Sequence, residues 1–395
     1  MPVPLDQRPL DWMTDLRKIL DQGSGPTVFS VEALRVRLWA TDPALVRWVM
    51  VYLGALAKVP SDSDMRHQRI AGVHSDEIVR DALVTLPRCA PGMARPRYSP
   101  GVVTRYDVGA QRFVYTDAEE GFVWVLDLPN ASLTLVYSSR SRWPAVDYAR
   151  LVREVVTRHL EDQRWTQYHA GCVLTDQGGI LLMGENGAGK TSLLLALLRA
   201  GTRYVANERV FLKRHGSSIR ALGYPITVGV GLGTAQHFPE VAKFITNPGP
   251  LQYPRLRLNL PRVLATPPEH RQYLEDKLDL LVDEVIREFG AAPCSREACI
   301  SGIVVPSVCK APTPVRVRPL DADELAGVLS TNVFRRESDV SYPAWLDLPF
   351  DEREGNAADM ASLPAIKVEF SLEQAKGDNY RTLLRSVLAG LAGTG

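Results

Sequence analysis

The chain has no apolar run that approaches the length of a membrane span, almost no excess of charge and few cysteines. Residues 1–8 carry no apolar stretch of the kind found in secretory signal peptides, so we predict a cytoplasmic protein without membrane contact. The 46 basic and 45 acidic residues are interspersed and leave a net charge of +1. That balance argues against nucleic acid as a partner, because nucleic-acid-binding surfaces concentrate positive charge.

Cysteine is too sparse to suggest a disulfide framework or a zinc site. The five cysteines are odd in number, and the closest pair, Cys294 and Cys299, has no histidine at zinc-ligand spacing. We therefore expect reduced, buried thiols. The chain also lacks internal repeats and low-complexity tracts, which excludes solenoid and fibrous architectures.

What the chain does have is length and apolar content, since 395 residues that are 45% hydrophobic allow two or three domains. We predict an N-terminal α+β module in residues 1–145, with an antiparallel meander in the short alternating runs between Val102 and Tyr137. Residues 146–350 form the predicted α/β core, and residues 351–395 add a polar linker, a strand and a closing helix. The N-terminal module is a candidate for substrate or partner recognition.

One segment matches a motif with a known physical purpose. Residues 184–191 read Gly-Glu-Asn-Gly-Ala-Gly-Lys-Thr, a full match to G-x-x-x-x-G-K-[ST], between a predicted strand at residues 180–183 and a predicted helix at residues 192–200. Glycine permits the dihedral angles that bring backbone amides close to phosphate, and a helix N-terminus adds partial positive charge. Lys190 is expected to reach the β- and γ-phosphates of a nucleoside triphosphate, and Thr191 to ligate Mg²⁺. The predicted nucleotide-binding residues are Gly184, Glu185, Asn186, Gly187, Ala188, Gly189, Lys190, Thr191 and Ser192.

Chemistry on a nucleotide also needs a carboxylate near the metal, and two places offer one. In the first, Asp283 and Glu284 follow an apolar run. The apolar residues around this pair repeat at intervals of three and four, which predicts a helix over residues 269–290 with its acids toward solvent. We therefore do not expect this pair to reach a nucleotide.

The second place follows the predicted phosphate-loop helix. A short apolar strand at residues 204–206 ends at Asn207 and Glu208. The carboxyl ends of strands in a parallel α/β sheet face the ligand crevice, so this pair is expected beside Mg²⁺ and the γ-phosphate. Glu208 is the predicted acid and metal ligand; a strand end with incidental polar residues is the alternative.

These residues together resemble the HPr kinase/phosphorylase family and its kinase-like relatives, over residues 169–223. The resemblance rests on a His169-Ala170 step, the phosphate loop, Gly201, an Ala206-Asn207-Glu208 strand end and a later Ile-Arg-Ala-Leu-Gly step at residues 219–223. It implies a P-loop core of the phosphoenolpyruvate carboxykinase-like type. It also implies Mg²⁺-dependent phosphate transfer to a hydroxyl, either of a protein serine or of a small metabolite.

Individual residues acquire expected roles from this resemblance. Lys190 and Thr191 hold phosphate and metal, His169 lies near the reacting phosphate, and Arg220 lies near the active centre. The sequence departs from the family at the acidic pair, where Asn207 replaces the first aspartate and the longer Glu208 replaces the second. An amide cannot take a proton at neutral pH, which puts the reverse, phosphorylase reaction in doubt.

The prediction from sequence is an ATP- and Mg²⁺-dependent kinase, with Glu208, or else His169, accepting the proton of the acceptor hydroxyl. Its partner is a small molecule or peptide that carries this hydroxyl, and the oligomeric state, including a homo-oligomer, stays open. Gly229, Gly231 and Gly233 predict either a mobile loop over the substrate or a turn between strands. A non-catalytic ATP-binding regulator and an ATPase are the alternatives.

Overall fold

The strands and helices of the computed structural model fall into two compact units. The first comprises the described parts of Met1–Val51 and Ala57–Asp162, and the second those of Tyr52–Leu56, Gln163–Phe334 and Glu352–Gly395. The described residues are 10–22, 26–32, 34–53, 66–96, 102–224, 226–247, 259–267, 270–271, 274–291, 297–309, 313–334, 357–375 and 379–394.

An eight-stranded sheet forms the first unit. Its strands are β1 Thr27–Val31, β2 Leu34–Ala40, β3 Arg66–His74, β4 Met93–Pro96, β5 Val102–Asp107, β6 Arg112–Asp117, β7 Phe122–Asp127 and β8 Ser132–Tyr137. They lie in the order β1-β2-β3-β8-β7-β6-β5-β4, in which β2, β3 and β8 are parallel. The predicted meander is confirmed, because β5 to β8 pair antiparallel in succession.

Helices join the strands of this part of the chain. They are α1 Asp11–Asp21, α2 Pro43–Leu53, α3 Asp76–Cys89 and α4 Pro144–Asp162. Helix α4 belongs to the first unit, so the two units divide after this helix. The domain boundaries at residues 145 and 350 remain predictions. Of the predicted linker, residues 351–356 lie outside the described residues.

A nine-stranded sheet and a separate two-stranded sheet form the second unit. The strands are β9 Thr166–Tyr168, β10 Gly171–Thr175, β11 Gly178–Leu182, β12 Arg203–Ala206, β13 Val210–His215, β14 Ser218–Gly223, β15 Val228–Gly231, β16 Lys277–Leu280, β17 Glu297–Cys309, β18 Arg316–Pro319 and β19 Ala365–Ser371. The large sheet has the order β12-β10-β11-β17-β14-β13-β9, and β19 pairs with β17 and β18. Strands β15 and β16 form the small sheet.

The large sheet is mixed, which corrects the parallel sheet assumed in the sequence argument. Strand β10 is antiparallel to both β11 and β12, and β17 is parallel to β11 and β19. Because β10 runs antiparallel to both of its neighbours, β11 and β12 are parallel to each other and end at the same edge of the sheet. The expected meeting of their carboxyl ends therefore does not require an all-parallel sheet.

Helices and a short 3₁₀ segment complete the second unit. They are α5 Lys190–Arg199, α6 Leu232–Ala235, α7 Pro239–Thr246, α8 Leu260–Ala265, α9 Val282–Phe289, α10 Ala322–Asn332, α11 Ala357–Met360, α12 Asn379–Ala392 and the 3₁₀ turn Leu372–Ala375. Residues 193–198 of α5 are all fully buried, in a core shared with strands of the large sheet and with α9 and α12. A helix that is apolar on every side is fixed in position by packing rather than by helix propensity alone.

The helix predicted over residues 269–290 is wrong in its first half. Residues Lys277–Leu280 form strand β16, paired with β15, and the helix begins only at Val282. The Glu284 carboxylate accepts a hydrogen bond from the Leu281 amide at 2.8 Å, which caps the helix at this point. Residues 277–280 are extended because they pair with β15, and the local spacing of apolar residues contains no information about that pairing. Strand β15 also contains Gly229 and Gly231, and α6 contains Gly233, so neither a loop nor a turn occupies these positions.

The described cysteines, Cys89, Cys172, Cys299 and Cys309, are free thiols. Cys172 is buried, whereas Cys299 is exposed, so the expectation of buried thiols is wrong for Cys299. Side chains alternate between the two faces of a strand, and in β17 the neighbours Ala298 and Ile300 are the ones buried. Cys294 lies outside the described residues. None of the described helices combines the length and apolar content needed to cross a membrane.

Candidate functional site

The predicted phosphate loop, residues 184–191, follows strand β11 and includes the first two residues of helix α5, Lys190 and Thr191, so the helix begins two residues earlier than predicted. Strand β17 supports the loop at both ends, because the Met183 amide donates to the Val304 carbonyl at 3.0 Å and the Val308 amide donates to the Ala188 carbonyl at 3.1 Å. The loop residues Glu185, Asn186 and Gly187 are exposed. The backbone of an accessible loop is thus attached to the centre of the sheet.

Three glycines of this loop adopt backbone angles that other residues rarely accept. Gly184, Gly187 and Gly189 have φ of 138°, 86° and 103°. At Gly189 a Cβ would also lie 2.9 Å from the Cβ of Val308, which is closer than carbon atoms approach without displacement. The motif's glycines are therefore required by the observed conformation, and most strictly at position 189.

Lys190 lies at the start of α5 with only 8% of its surface exposed. Its Nζ donates to the backbone carbonyls of Gly184 at 2.6 Å and of Glu185 at 3.0 Å. Burial lowers the pKa of Lys190 to about 8; the carboxylate of Glu208 opposes this shift and the nearby charge of Lys277 adds to it. The ammonium group is thus hydrogen-bonded to its own loop and partly removed from water, and the Glu208 carboxylate offsets part of the cost of burying its charge.

Thr191 and Asn207 bring the loop and the end of β12 into contact. The Thr191 hydroxyl donates to Asn207 Oδ1 at 3.4 Å. Asn207 is only 1% exposed, and its Nδ2 has no hydrogen-bond partner among the residues that the structure describes. A buried amide that lacks one partner is costly, and this one lies beside the loop. The hydroxyl of Ser192, by contrast, pairs with Thr234 at 2.8 Å.

Glu208 follows Asn207 with a left-handed backbone, φ 63°. The Arg209 amide donates to the Asn207 carbonyl at 2.8 Å, which closes a tight turn around Glu208. The Glu208 carboxylate lies 4.0 Å from Nζ of Lys277, the first residue of β16. A non-glycine residue in this conformation is uncommon and is often found at functional sites.

Hydrogen bonds to Asn332 connect His169 to the loop. No motif in the sequence pointed to Asn332. The His169 amide donates to the Asn332 carbonyl at 2.7 Å, and the Gly184 amide donates to Asn332 Oδ1 at 3.3 Å. The His169 ring contacts Phe334, over which the Arg209 guanidinium also lies, at 4.8 Å from the ring centre. One buried asparagine at the end of α10 therefore links the histidine to the first glycine of the loop.

Burial is the main cause of the lowered pKa of His169, about 4. The charge of Lys190 lowers this pKa further, Glu208 opposes the shift, and Arg209 and Lys277 lower it again. The imidazole is therefore neutral at pH 7. These same charges act on one another, which shows that the predicted residues His169, Lys190 and Glu208 lie in one neighbourhood.

Arg220 has different surroundings. Its guanidinium pairs with Glu297 of β17 and lies 5.6 Å from the ring centre of Trp165. Its predicted role near the active centre stays a prediction. Conversely, sequence reasoning missed Lys277, Arg209 and Asn332. Arg209 could have been identified because it directly follows the predicted acid Glu208. Lys277 and Asn332 are distant from the motif along the chain, so no sequence signal pointed to them.

Comparisons with known proteins give little further information. No protein-family model and no curated protein sequence matches this chain. Among solved structures, the chain is similar to the Hpr(Ser) kinase/phosphatase from Coxiella burnetii, with 12% identity, over 56% of this chain and 93% of that one, at a TM-score of 0.25. A similarity of this size carries no argument about function, which must be drawn from the site itself.

Proposed function

We propose that this chain is an ATP- and Mg²⁺-dependent kinase that transfers the γ-phosphate to a hydroxyl of a small metabolite or of a peptide serine. The proposal is carried by one observation, the convergence of the loop lysine with a polar strand end. Lys190 starts the helix after β11, and Asn207 and Glu208 follow β12, with Thr191 bonded to Asn207. This convergence supports a site that binds phosphate and performs chemistry on it.

The residues of the candidate site fit the binding of a nucleoside triphosphate. The loop glycines have positive φ and no side chains, so a phosphate can closely approach the loop backbone. The N-terminus of α5 adds partial positive charge. The carbonyls of Gly184 and Glu185 that hold Lys190 are exchangeable for phosphate oxygens, which are stronger acceptors for an ammonium group. Lys190 would then bind the β- and γ-phosphates.

Oxygen ligands for Mg²⁺ are also present. The Thr191 hydroxyl and the Glu208 carboxylate are the candidate ligands, and both are of the hard oxygen type that Mg²⁺ prefers. When bound, the ion supplies charge neutralisation to the phosphates. The described residues contain no cluster of three or more His, Cys, Asp or Glu side chains suited to a metal.

We assign the role of proton acceptor to Glu208, because its carboxylate follows Asn207, whose side chain bonds to Thr191 of the loop. The amide of Asn207 takes no proton, and burial makes the imidazole of His169 a weak base, with a pKa of about 4. In the proposed transfer the acceptor oxygen forms a bond to the γ-phosphorus and the bond from this phosphorus to the bridging oxygen breaks. ADP leaves, and the hydroxyl proton goes to the Glu208 carboxylate.

A regulator that binds ATP without chemistry is the second candidate, and one residue favours it. Asn207 stands where the resemblance leads us to expect an aspartate, so one acidic group is missing from the site. In such a protein Lys190 would still bind phosphate while Glu208 remained paired with Lys277. Binding and turnover separate the two candidates.

The test is transfer from γ-labelled ATP with Mg²⁺ into fractionated peptides and small metabolites. Wild type is compared with Lys190→Ala, Glu208→Gln and Lys213→Ala, a matched lysine that packs on Trp165. We expect a labelled acceptor in wild type and Lys213→Ala, and a loss of about 10²-fold or more in the other two, because transition-state charge loses its stabilisation. Equal turnover in Lys190→Ala would overturn the kinase. ATP binding without product would support the regulator, and released phosphate alone an ATPase.

A further inference from the structure

Lys277 brings a second lysine to the candidate site from a distant part of the chain. Its Nζ lies 4.0 Å from Glu208 Oε1, and its side chain is 41% exposed. Strand β16 places it there, because Lys277 pairs with Gly231 of β15. Gly231 has no side chain, and no heavy atom lies within 4 Å of where its Cβ would be, so the space beside Lys277 is open.

The ion pair between Lys277 and Glu208 adds little to the stability of the fold. A separation of 4.0 Å is at the outer limit of an ion pair, and half-exposed pairs of this kind add little stability. Glu208 meanwhile adopts an unfavourable backbone angle, φ 63°. This ion pair by itself therefore contributes little to the stability of the fold.

Positive charge exceeds negative charge among the side chains whose charges act on His169. Lys190, Lys277 and Arg209 all lower the pKa of His169, and Glu208 is the one carboxylate among the charges that act on it. Lys277 also lowers the pKa of Lys190 and Glu208 raises it, so one carboxylate partly offsets the repulsion between the two ammonium groups. A polyphosphate that contacts both lysines would offset this repulsion further, as expected of a phosphate site with two lysines.

We propose that Lys277 leaves Glu208 when nucleotide binds and contacts the γ-phosphoryl group, opposite Lys190. This inference rests on the proposed function and names a further residue for it. Lys190 would bind from the loop side and Lys277 from the β16 side.

The experiment compares the affinities for ATP and ADP in Lys277→Gln, Lys277→Arg and Lys243→Gln. Lys243 is a matched control, since it pairs with Glu288 on the surface of the same unit and its side chain is 53% exposed. Titration calorimetry with Mg²⁺ should show about tenfold weaker ATP binding in Lys277→Gln, the loss expected for one charged hydrogen bond, and ADP binding within about twofold of wild type. Lys277→Arg should keep part of the preference for ATP and thereby separates lost charge from misfolding.

The outcomes distinguish this inference from the proposed function. Equal weakening of ATP and ADP by Lys277→Gln, or an effect no larger than that of Lys243→Gln, overturns the role of Lys277 and leaves a kinase that depends on Lys190 intact. If wild type binds neither nucleotide, both proposals fall. If wild type binds ATP without transferring phosphate, a selective loss of ATP affinity still supports contact between Lys277 and the γ-phosphate.

Discussion

At the scale of single residues, the site is defined by a buried ammonium group with a lowered pKa. Lys190 donates to two carbonyls of its own loop and lies near Glu208 and Lys277, which shift its pKa in opposite directions. Burial is the larger effect and brings the pKa to about 8. A lysine with this pKa is charged at pH 7 and loses its proton within the range accessible to binding experiments.

The pH dependence of ATP binding should reflect this pKa. Only protonated Lys190 attracts phosphate, so the dissociation constant for ATP should be nearly constant from pH 7 to 7.5 and rise toward about tenfold per pH unit above pH 8. Calorimetry across this range measures the effect. Lys190→Arg is the control, because a guanidinium stays protonated and its variant should show a flat profile. The same rise in Lys190→Arg would assign the titration to another group.

At the scale of elements, the site depends on a strand, a loop and a helix whose positions are set by β17. Hydrogen bonds from Met183 to Val304 and from Val308 to Ala188 attach both ends of the loop to this strand. Residues 193–198 of α5 are fully buried, so packing opposes a shift of the helix that would relieve a change in the loop. A substitution that displaces the loop from β17 should therefore affect ligand binding before it affects the rest of the fold.

Gly189→Ala tests this dependence, with Gly201→Ala as its matched control. Both glycines have positive φ, 103° and 94°, so each substitution should cost about 1–2 kcal/mol in urea unfolding for the left-handed backbone. A Cβ at Gly189 would meet Val308 at 2.9 Å, whereas nothing lies within 4 Å at Gly201. We expect ATP affinity to fall about tenfold or more in Gly189→Ala alone, through loss of amide contacts to phosphate. A comparable loss in Gly201→Ala would contradict this.

At the scale of the whole molecule, the candidate site residues all belong to one of the two units. The loop, the end of β12, His169 and Lys277 lie within Gln163–Phe334. The eight-stranded sheet of the first unit contributes none of the residues proposed here, and its predicted role in recognising substrate or partner stays a prediction. The nucleotide binding that we propose therefore involves described residues of the second unit.

Hydrogen exchange with and without ATP tests this assignment across the whole chain. Added protection is expected in peptides that contain residues 184–191, the start of α5 and residues 207–209. At ATP concentrations near 100 times its dissociation constant, amides that exchange by unfolding of the second unit should gain about 2.7 kcal/mol of protection. Lys190→Ala should lose this protection. Equal protection in β5–β8 would show that the first unit takes part in binding.

Sequence alone determined the parts of this site that are contiguous in the chain. The loop, its glycines, the strand before it and the helix after it follow from local dihedral requirements and apolar spacing, and all were predicted. The strand end at Asn207 and Glu208 was predicted for the same reason, although the sheet proved to be mixed rather than parallel.

Tertiary structure decided the rest, because it depends on pairings between distant segments. Asn332 reaches Gly184 only because α10 ends beside the loop, and Lys277 reaches Glu208 only because β16 pairs with β15. Local spacing placed Lys277 in a helix, since a short segment carries no record of the strand that it will pair with. The second cation of the site is therefore a property of the fold and not of any motif.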